Sequence, residues 1–366
     1  MTNFTIYKAQ RASIEHPERC EDALVLLTDD PAHAPVVVVI DGMGGHQREL
    51  ADGKRLTGQD AALAIAETLR STLADLPVGI NAIPGGEAEQ RAISAIGKAH
   101  QHVLTEFNEA GELAARQRLG AVMTMVILCE DGKRLLVAQV GDTRAYLLSG
   151  DELIQICVDE DNIEYLVRGS QLSARDAEKI GEVLDNYDGV HEPQPSGSVS
   201  ISGNRFELYQ AWRWFLIGNQ ALNIPAANVV INAVGLHSGD PTPETSRMEV
   251  NAGDTLLLCS DGLYKNLSVP EITALLRGQA DPAQALLDAA YARSLDDDNQ
   301  RHTPDDITAI VVQFAPATES SGSEVRSDIP ASVPAARVVS GSDTPITSIA
   351  PPIANADVPT DPALSE

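Results

Sequence analysis

Five places in this chain put an acidic residue where an apolar run begins or ends. Asp41 closes the run Val36 to Ile40 and opens the glycine-rich stretch Asp41-Gly42-Met43-Gly44-Gly45-His46. Glu21-Asp22 precedes Ala23-Leu24-Val25-Leu26-Leu27, and Asp261 follows Leu256-Leu257-Leu258 within Cys259-Ser260-Asp261-Gly262. Asp305-Asp306 leads into the run Ala309 to Val312, and Asp142 sits in Val140-Gly141-Asp142-Thr143-Arg144, between two apolar segments. Taken singly, each acid reads equally well as a turn residue or a helix cap. As a set, acids at strand ends of one sheet system can converge and share ions.

Carboxylate oxygens are the ligands that hard cations such as Mg²⁺ and Mn²⁺ take. The glycines of the Asp41 turn allow a backbone carbonyl to face the same ion. Two such ions about 3.5–4 Å apart can clamp a water and lower its pKa, which makes it a nucleophile. The four cysteines, Cys20, Cys129, Cys157 and Cys259, are dispersed without a CxxC pair, so they read as reduced thiols and not as a disulfide frame or zinc site.

The elements that must position these acids follow from periodicity. Residues 1–40 read as two or three strands. Residues 58–76 read as a helix with Leu63, Leu69, Leu73 and Leu76 near helical spacing, and 87–110 as a second with Ile93, Ile96, Val103 and Phe107 on one stripe. Pro84-Gly85-Gly86 separates the two. Strands are expected near 121–129, 134–140, 144–149 and 153–157, with tight turns at Gly132 and Gly150; the first two are nearly continuous apolar, as suits a sheet covered on both faces. Residues 160–186 read as helical, Asn162 to Arg168 as a turn-rich piece and Ser173 as the cap of the next. Beyond lie the polar loop Pro193 to Ser198 and the only tryptophans. The alternation of Trp212 and Trp214, with Phe215, suggests a buried core or edge-strand face.

Composition bounds the function. With 366 residues and 43% hydrophobic content the chain can bury a sizeable core, and at 4% aromatics that core is mostly aliphatic. A net charge of −27 argues against nucleic acid and anionic membranes as partners. No uninterrupted apolar stretch of about 18 residues exists, and Met1 to Gln10 lacks the basic-then-apolar layout of a signal peptide. These features together lead us to expect a cytoplasmic protein. From Pro316 the chain turns rich in Ser, Pro, Ala and Thr and loses its aromatics. Residues 316–366 are therefore expected to be a disordered acidic tail. It holds seven acids against two arginines, so residues 1–315 still carry −22.

The ordered set of motifs from Glu21 to Phe314 resembles the metal-dependent protein phosphatases of type 2C, the PPM family, in its bacterial branch. The residues that carry the likeness are Glu21-Asp22, Asp41 to His46, Gly141-Asp142-Thr143-Arg144-Ala145-Tyr146-Leu147, Leu256 to Leu263, Asp305 to Val312 and the block from Asn228 to Gly262. The resemblance implies an α+β fold, a four-layer α-β-β-α sandwich of two stacked, mostly antiparallel sheets flanked by helices. It implies a phosphatase domain over residues 1–315 with a variable flap at about 160–227. It implies hydrolysis of phosphoserine and phosphothreonine in proteins, with two Mn²⁺ or Mg²⁺ ions, a third ion in some members, and a serine/threonine kinase as counterpart. By the same likeness Asp41 bridges both ions, Gly42 offers its carbonyl, Asp22, Asp261 and Asp305 complete the ligands, Glu21 holds a bound water, and Asp142 with Asp261 takes the third ion.

Four departures from the family pattern mark this chain. Pro17 stands where relatives usually carry a phosphate-binding arginine, leaving Arg19 or Arg11 to substitute. Cys20 and Asp306 replace common asparagines, and Asp306 adds charge beside Asp305. Gly120 is followed by Ala121-Val122 in place of two threonines. Met43 stands where some relatives have a histidine, so His46 is the candidate general acid. The competing readings are a pseudo-phosphatase used as a binding module, favoured by the missing arginine and opposed by the complete carboxylate set, and a hydrolase of small phosphate esters.

Overall fold

Antiparallel pairing of successive apolar strands builds two five-stranded sheets in the computed structural model, which describes residues 3–50, 52–108, 113–114, 117–219, 224, 229–236, 241–316 and 353–354. The chain opens with β1 (Phe4–Arg11), β2 (Ala23–Leu27) and β3 (Val36–Gly42), then a two-residue ribbon of β4 (Arg48–Glu49) and β5 (Arg55–Leu56). Helix α1 (Gly58–Leu73) starts at a capping box, in which Thr57 caps the first turn and the Asp60 side chain returns to the Thr57 amide. Helix α2 (Glu87–Val103) follows and runs into a π-turn, Leu104–Asn108.

Four strands come next: β6 (Ala121–Cys129), β7 (Arg134–Val140), β8 (Arg144–Ser149) and β9 (Glu152–Gln155). Every residue of β6 is buried, as its unbroken apolar run requires of a central strand covered on both faces. Gly132 and Gly150 make the tight turns with φ of +83° and +57°. Then come α3 (Asn162–Arg168), α4 (Ala174–Asn186), β10 (Ser198–Ile201), β11 (Asn204–Glu207) and α5 (Leu208–Ile217). The chain returns through β12 (Val229–Val230), β13 (Glu244–Glu249), β14 (Thr255–Cys259), α6 (Asp261–Tyr264), α7 (Val269–Leu276), α8 (Pro282–Arg293) and β15 (Ile307–Phe314). A last pair, β16 (Ile353–Ala354), lies against β12. The rest of the expected tail, from residue 317, lies outside the described residues.

One sheet runs β1-β15-β14-β8-β9 and the other β13-β7-β6-β3-β2. Val37, Val39, Val126 and Val137 of the second meet Leu147, Leu258, Ile310 and Val312 of the first in a dry layer between the sheets. The other face of the second sheet packs on α1 and α2 through Val36, Val38, Ile65, Leu69 and Ile96. The other face of the first packs on α6, α7 and α8 through Leu257, Ala309, Leu263, Ile272 and Leu286. This is the four-layer α-β-β-α sandwich expected from the sequence.

Details differ. Leu63 and Ile93 are exposed, not on the core stripe: each helix buries small residues instead, Ala61, Ala62 and Ala66 on α1 and Ala92, Ala95 and Ala99 on α2. Alanines let the two helices approach closely, while Leu69, Leu73, Leu76, Ile96 and Val103 are buried as expected. Asn162 to Arg168 forms a helix, capped by Asp161, whose side chain accepts the Ile163 and Glu164 amides. Trp212, Trp214 and Phe215 lie on helix α5, not on a strand. Phe215 joins the apolar cluster of Ile163, Ile180, Val199 and Leu208 that holds α3 to α5 together, and Trp214 packs against it.

Ile310, between the sheets, and Ile93, on the solvent face of α2, give opposite expectations. Ile310→Ala should cost about 2–5 kcal/mol by urea unfolding, and Ile93→Ala no more than about 0.5 kcal/mol. Similar losses at both positions would contradict this layering.

Candidate metal centre

Because neighbouring strands run antiparallel, the starts of some and the ends of others fall at one edge of the sandwich. Asp22 lies just before β2 and Asp41 at the end of β3, whose pairing runs Ala23 with Ile40. Asp142 follows β7. Asp261 follows β14 and Asp305 precedes β15, whose pairing ends with Cys259 opposite Ala309. Each expected acid is therefore delivered to the same end.

Two glycines let the backbones close there. A Cβ on Gly42 would stand 2.5 Å from the carbonyl oxygens of both Glu21 and Gly58, so only glycine fits between them. The Gly42 amide itself donates to the Glu21 carbonyl at 3.1 Å. The requirement is close approach; among the residues of this turn it is Gly45 that takes a positive φ, +71°. A Cβ on Gly262 would land on the Asp306 carbonyl oxygen, which locks the Asp261 turn against the Asp305-Asp306 turn.

The acids feel one another. Burial first, then Asp22, Asp261, Asp305 and Asp142, push the Asp41 carboxyl well above the usual carboxylate range. Burial and then Asp306 do the same to Asp22, and burial and then Asp261 to Asp305. Burial raises Asp142 to about 7, against the pull of Lys265. Asp22, Asp142 and Asp261 are buried, while Asp41 and Asp305 keep a partly open face. Both carboxylate oxygens of Asp22, and Oδ1 of Asp261, are buried with no hydrogen-bond partner. Buried polar atoms are rarely left so. Oxygen donors converging without partners are what a divalent cation accepts, so the residues fit such an ion. Among the described residues no three such side chains close into a ready cage.

The remaining sequence candidates fall at different places. Glu21 Oε1 accepts Arg19 Nε at 3.0 Å, and a Cβ on Gly44 would be 3.9 Å from Glu21 Oε2, which sets Glu21 beside the Asp41 turn. Arg19 is thus at the site. Arg11 is not brought there: its guanidinium stacks 3.4 Å above the ring of Tyr291. His46 is buried with Nδ1 2.9 Å from the Arg118 carbonyl and Nε2 unpartnered. A carbonyl oxygen only accepts, so Nδ1 donates in that contact. Asp306 adds its charge beside Asp22, as expected, and accepts the amides of Ser13 at 2.7 Å and Glu21 at 2.6 Å. It latches the loop after β1 onto the site.

Several residues were not singled out from the sequence. Lys265 Nζ lies 2.5 Å from Asp261 Oδ2. Its position four residues on, one helical turn, was the available signal. Tyr264 Oη donates to the Asp142 carbonyl at 2.9 Å, and Arg144 stacks on the Tyr264 ring at 3.8 Å. Glu160 accepts the Gly141 amide at 3.0 Å and is itself held by Arg168 at 3.0 Å. His16 Nδ1 stands 3.7 Å from Asp306 Oδ1. These partners come from far along the chain, and no local pattern announces them. The four cysteines are free, and burial, then Asp22, pushes the Cys20 thiol far up, so it is no nucleophile.

Comparison with known proteins gives the same picture. The family profile described as protein phosphatase 2C matches residues 9–299. A serine/threonine phosphatase stp of Listeria innocua is 22% identical over 245 residues, covering 67% of this chain and 73% of that protein. A solved bacterial serine phosphatase superposes with a TM-score of 0.58 at 20% identity, covering 87% of this chain and all of that one. The catalytic domain of the serine/threonine protein phosphatase PstP, solved with two manganese ions, superposes at 0.53 with 21% identity, covering 85% and 98%. At such identities the structural likeness speaks for the fold.

The raised acids set a pH dependence for chelator-treated protein. Folded, Asp142 keeps its proton up to about pH 7; unfolded, it loses it near the ordinary 3.8. Between these values the folded state binds more protons, so stability is present below the window and lost as pH rises through it. The melting temperature should fall across this range, and fall less steeply in Asp142→Asn. Parallel slopes would show that Asp142 does not titrate in this way.

Proposed function

The chain belongs to the protein phosphatase 2C family, and from that membership we propose how its own residues take phosphate from phosphoserine and phosphothreonine in proteins. The observation that carries the reading is Asp41, a carboxylate under the combined field of Asp22, Asp261, Asp305 and Asp142. It would be a ligand of the two cations, Mn²⁺ or Mg²⁺, that the site would hold. Asp22, Asp261, Asp305 and the Gly42 carbonyl would complete the donor set, with Glu21 acting through a water. When bound, the ions supply an acidified water and neutralise charge gathering on the phosphoryl oxygens.

The remaining tasks fall to the chain. Arg19, 28% exposed and steered by Glu21, is the phosphate contact in place of the usual arginine. Its Nη2 is left to meet a phosphoryl oxygen. His46, clasped to the Arg118 carbonyl, supports an anchoring task for the turn better than proton donation to the leaving oxygen. The substrate implies a serine/threonine kinase that places the phosphate. None of the described helices is long and apolar enough to cross a membrane. The complete carboxylate set argues against a binding module that has lost its chemistry.

Phosphopeptide turnover should need added Mn²⁺ or Mg²⁺ and stop in EDTA. Asp41→Asn should lower kcat by about 10²-fold or more and weaken Mn²⁺ binding in the same preparation. Arg19→Ala should raise KM with metal binding intact, and Arg11→Ala should leave KM unchanged. Parent-like turnover in Asp41→Asn would overturn the site assignment.

A further inference from the structure

Lys265 enters the acidic cluster itself. It stands one helical turn after Asp261, and its amide donates to the Asp261 carbonyl at 2.8 Å. The two side chains therefore share a face, and Nζ meets Asp261 Oδ2 at 2.5 Å. Most lysine–aspartate pairs at this spacing lie in water and contribute little. This one is withdrawn from it, with the two side chains 18% and 8% exposed. The fields of Asp142 and Asp305 fall on the same ammonium.

The pair is held in place from behind. Asn266 Nδ2 donates to the Gly262 carbonyl at 2.7 Å and the Thr303 carbonyl at 2.8 Å, and its Oδ1 accepts the Thr303 amide at 3.1 Å. Arg301 grips the Tyr264 and Leu267 carbonyls from the same loop. Tyr264 Oη reaches Asp142 Oδ2 at 3.2 Å, so Asp142 is bound on the side next to Lys265. A positive charge thus already lies at Asp261, on the side toward Asp142, fixed by neighbours that do not depend on any bound ion.

We propose that the Lys265 ammonium is a built-in cation that replaces the third ion on the Asp142–Asp261 side, so that this chain binds two divalent ions and not three. The inference rests on the two-ion reading of the same site. An ammonium offers three donors and a single charge, enough to hold Asp261 Oδ2 while leaving Oδ1 free. A divalent ion approaching Asp142 and Asp261 would meet a fixed like charge.

Calorimetric Mn²⁺ titration, with free-ion counting by electron paramagnetic resonance, reads the number directly. The parent should saturate at two ions, Lys265→Gln should gain a weaker third, and Lys265→Arg, which keeps the charge, should stay at two. In chelator near neutral pH, Lys265→Gln should melt below the parent, and saturating Mn²⁺ should close the gap. If Lys265→Gln does not fold, Lys265→Met is read in the same way. Three ions in the parent, or two in both parent and Lys265→Gln, would overturn the proposal while leaving the two-ion reading standing. A parent that binds fewer than two ions would remove that reading, and the proposal with it.

Discussion

Repulsion among carboxylates held close together in a poorly hydrated place is the constraint on which this molecule is organised. Burying one unpaired carboxylate is costly, and gathering several compounds the cost. Nothing in the acids favours this arrangement; the scaffold imposes it. Antiparallel pairing brings the start of β2 beside the end of β3 and the end of β14 beside the start of β15. The dry layer between the sheets fixes the two pairs relative to one another. Gly42 and Gly262 then remove the last steric obstacle, letting the Glu21 and Asp306 carbonyls approach where a side chain would stand. The energy stored in that gathering is what makes the site receptive to cations.

Around the acids, the chain compensates with contacts that leave both Asp22 oxygens and Asp261 Oδ1 unpartnered. Asp306 spends its charge on the Ser13 and Glu21 amides and so ties down the loop that carries Arg19. Glu160, gripped by Arg168, steadies the Gly141 amide next to Asp142. Tyr264, backed by Arg144, holds the Asp142 carbonyl. Arg301 links the end of α4, through the Leu184 and Tyr187 carbonyls at 2.8 Å and 3.0 Å, to the loop after α6. The segment around α3 to α5 is thereby attached to the same edge of the sandwich as the acids, which gives it a physical route to influence substrate binding.

What was legible in the sequence was whatever local periodicity encodes. The runs 121–129, 134–140 and 144–149 emerge as strands with those bounds because an apolar run ending at a glycine or an acid leaves little choice. The acids were legible because each marks such an end. Less legible was which helix face turns inward: Leu63 and Ile93 look like core residues, yet alanines serve better where α1 and α2 must pack closely. The tryptophans resembled a strand because three bulky residues in four satisfy either period over so short a span. The roles of Lys265, Asp306 and Glu160 depend on partners or fields from distant segments, so no spacing along the chain could reveal them in full.

In the proposed mechanism Asp41 stands between two divalent ions held by this set of acids. Crystals soaked in Mn²⁺ and measured at the manganese absorption edge test it most directly. Two anomalous peaks are expected, both within bonding distance of Asp41, with Asp22, Asp261 and Asp305 among their other ligands. Manganese bound away from Asp41, or a single ion that leaves Asp22 or Asp305 without a bond, would contradict it.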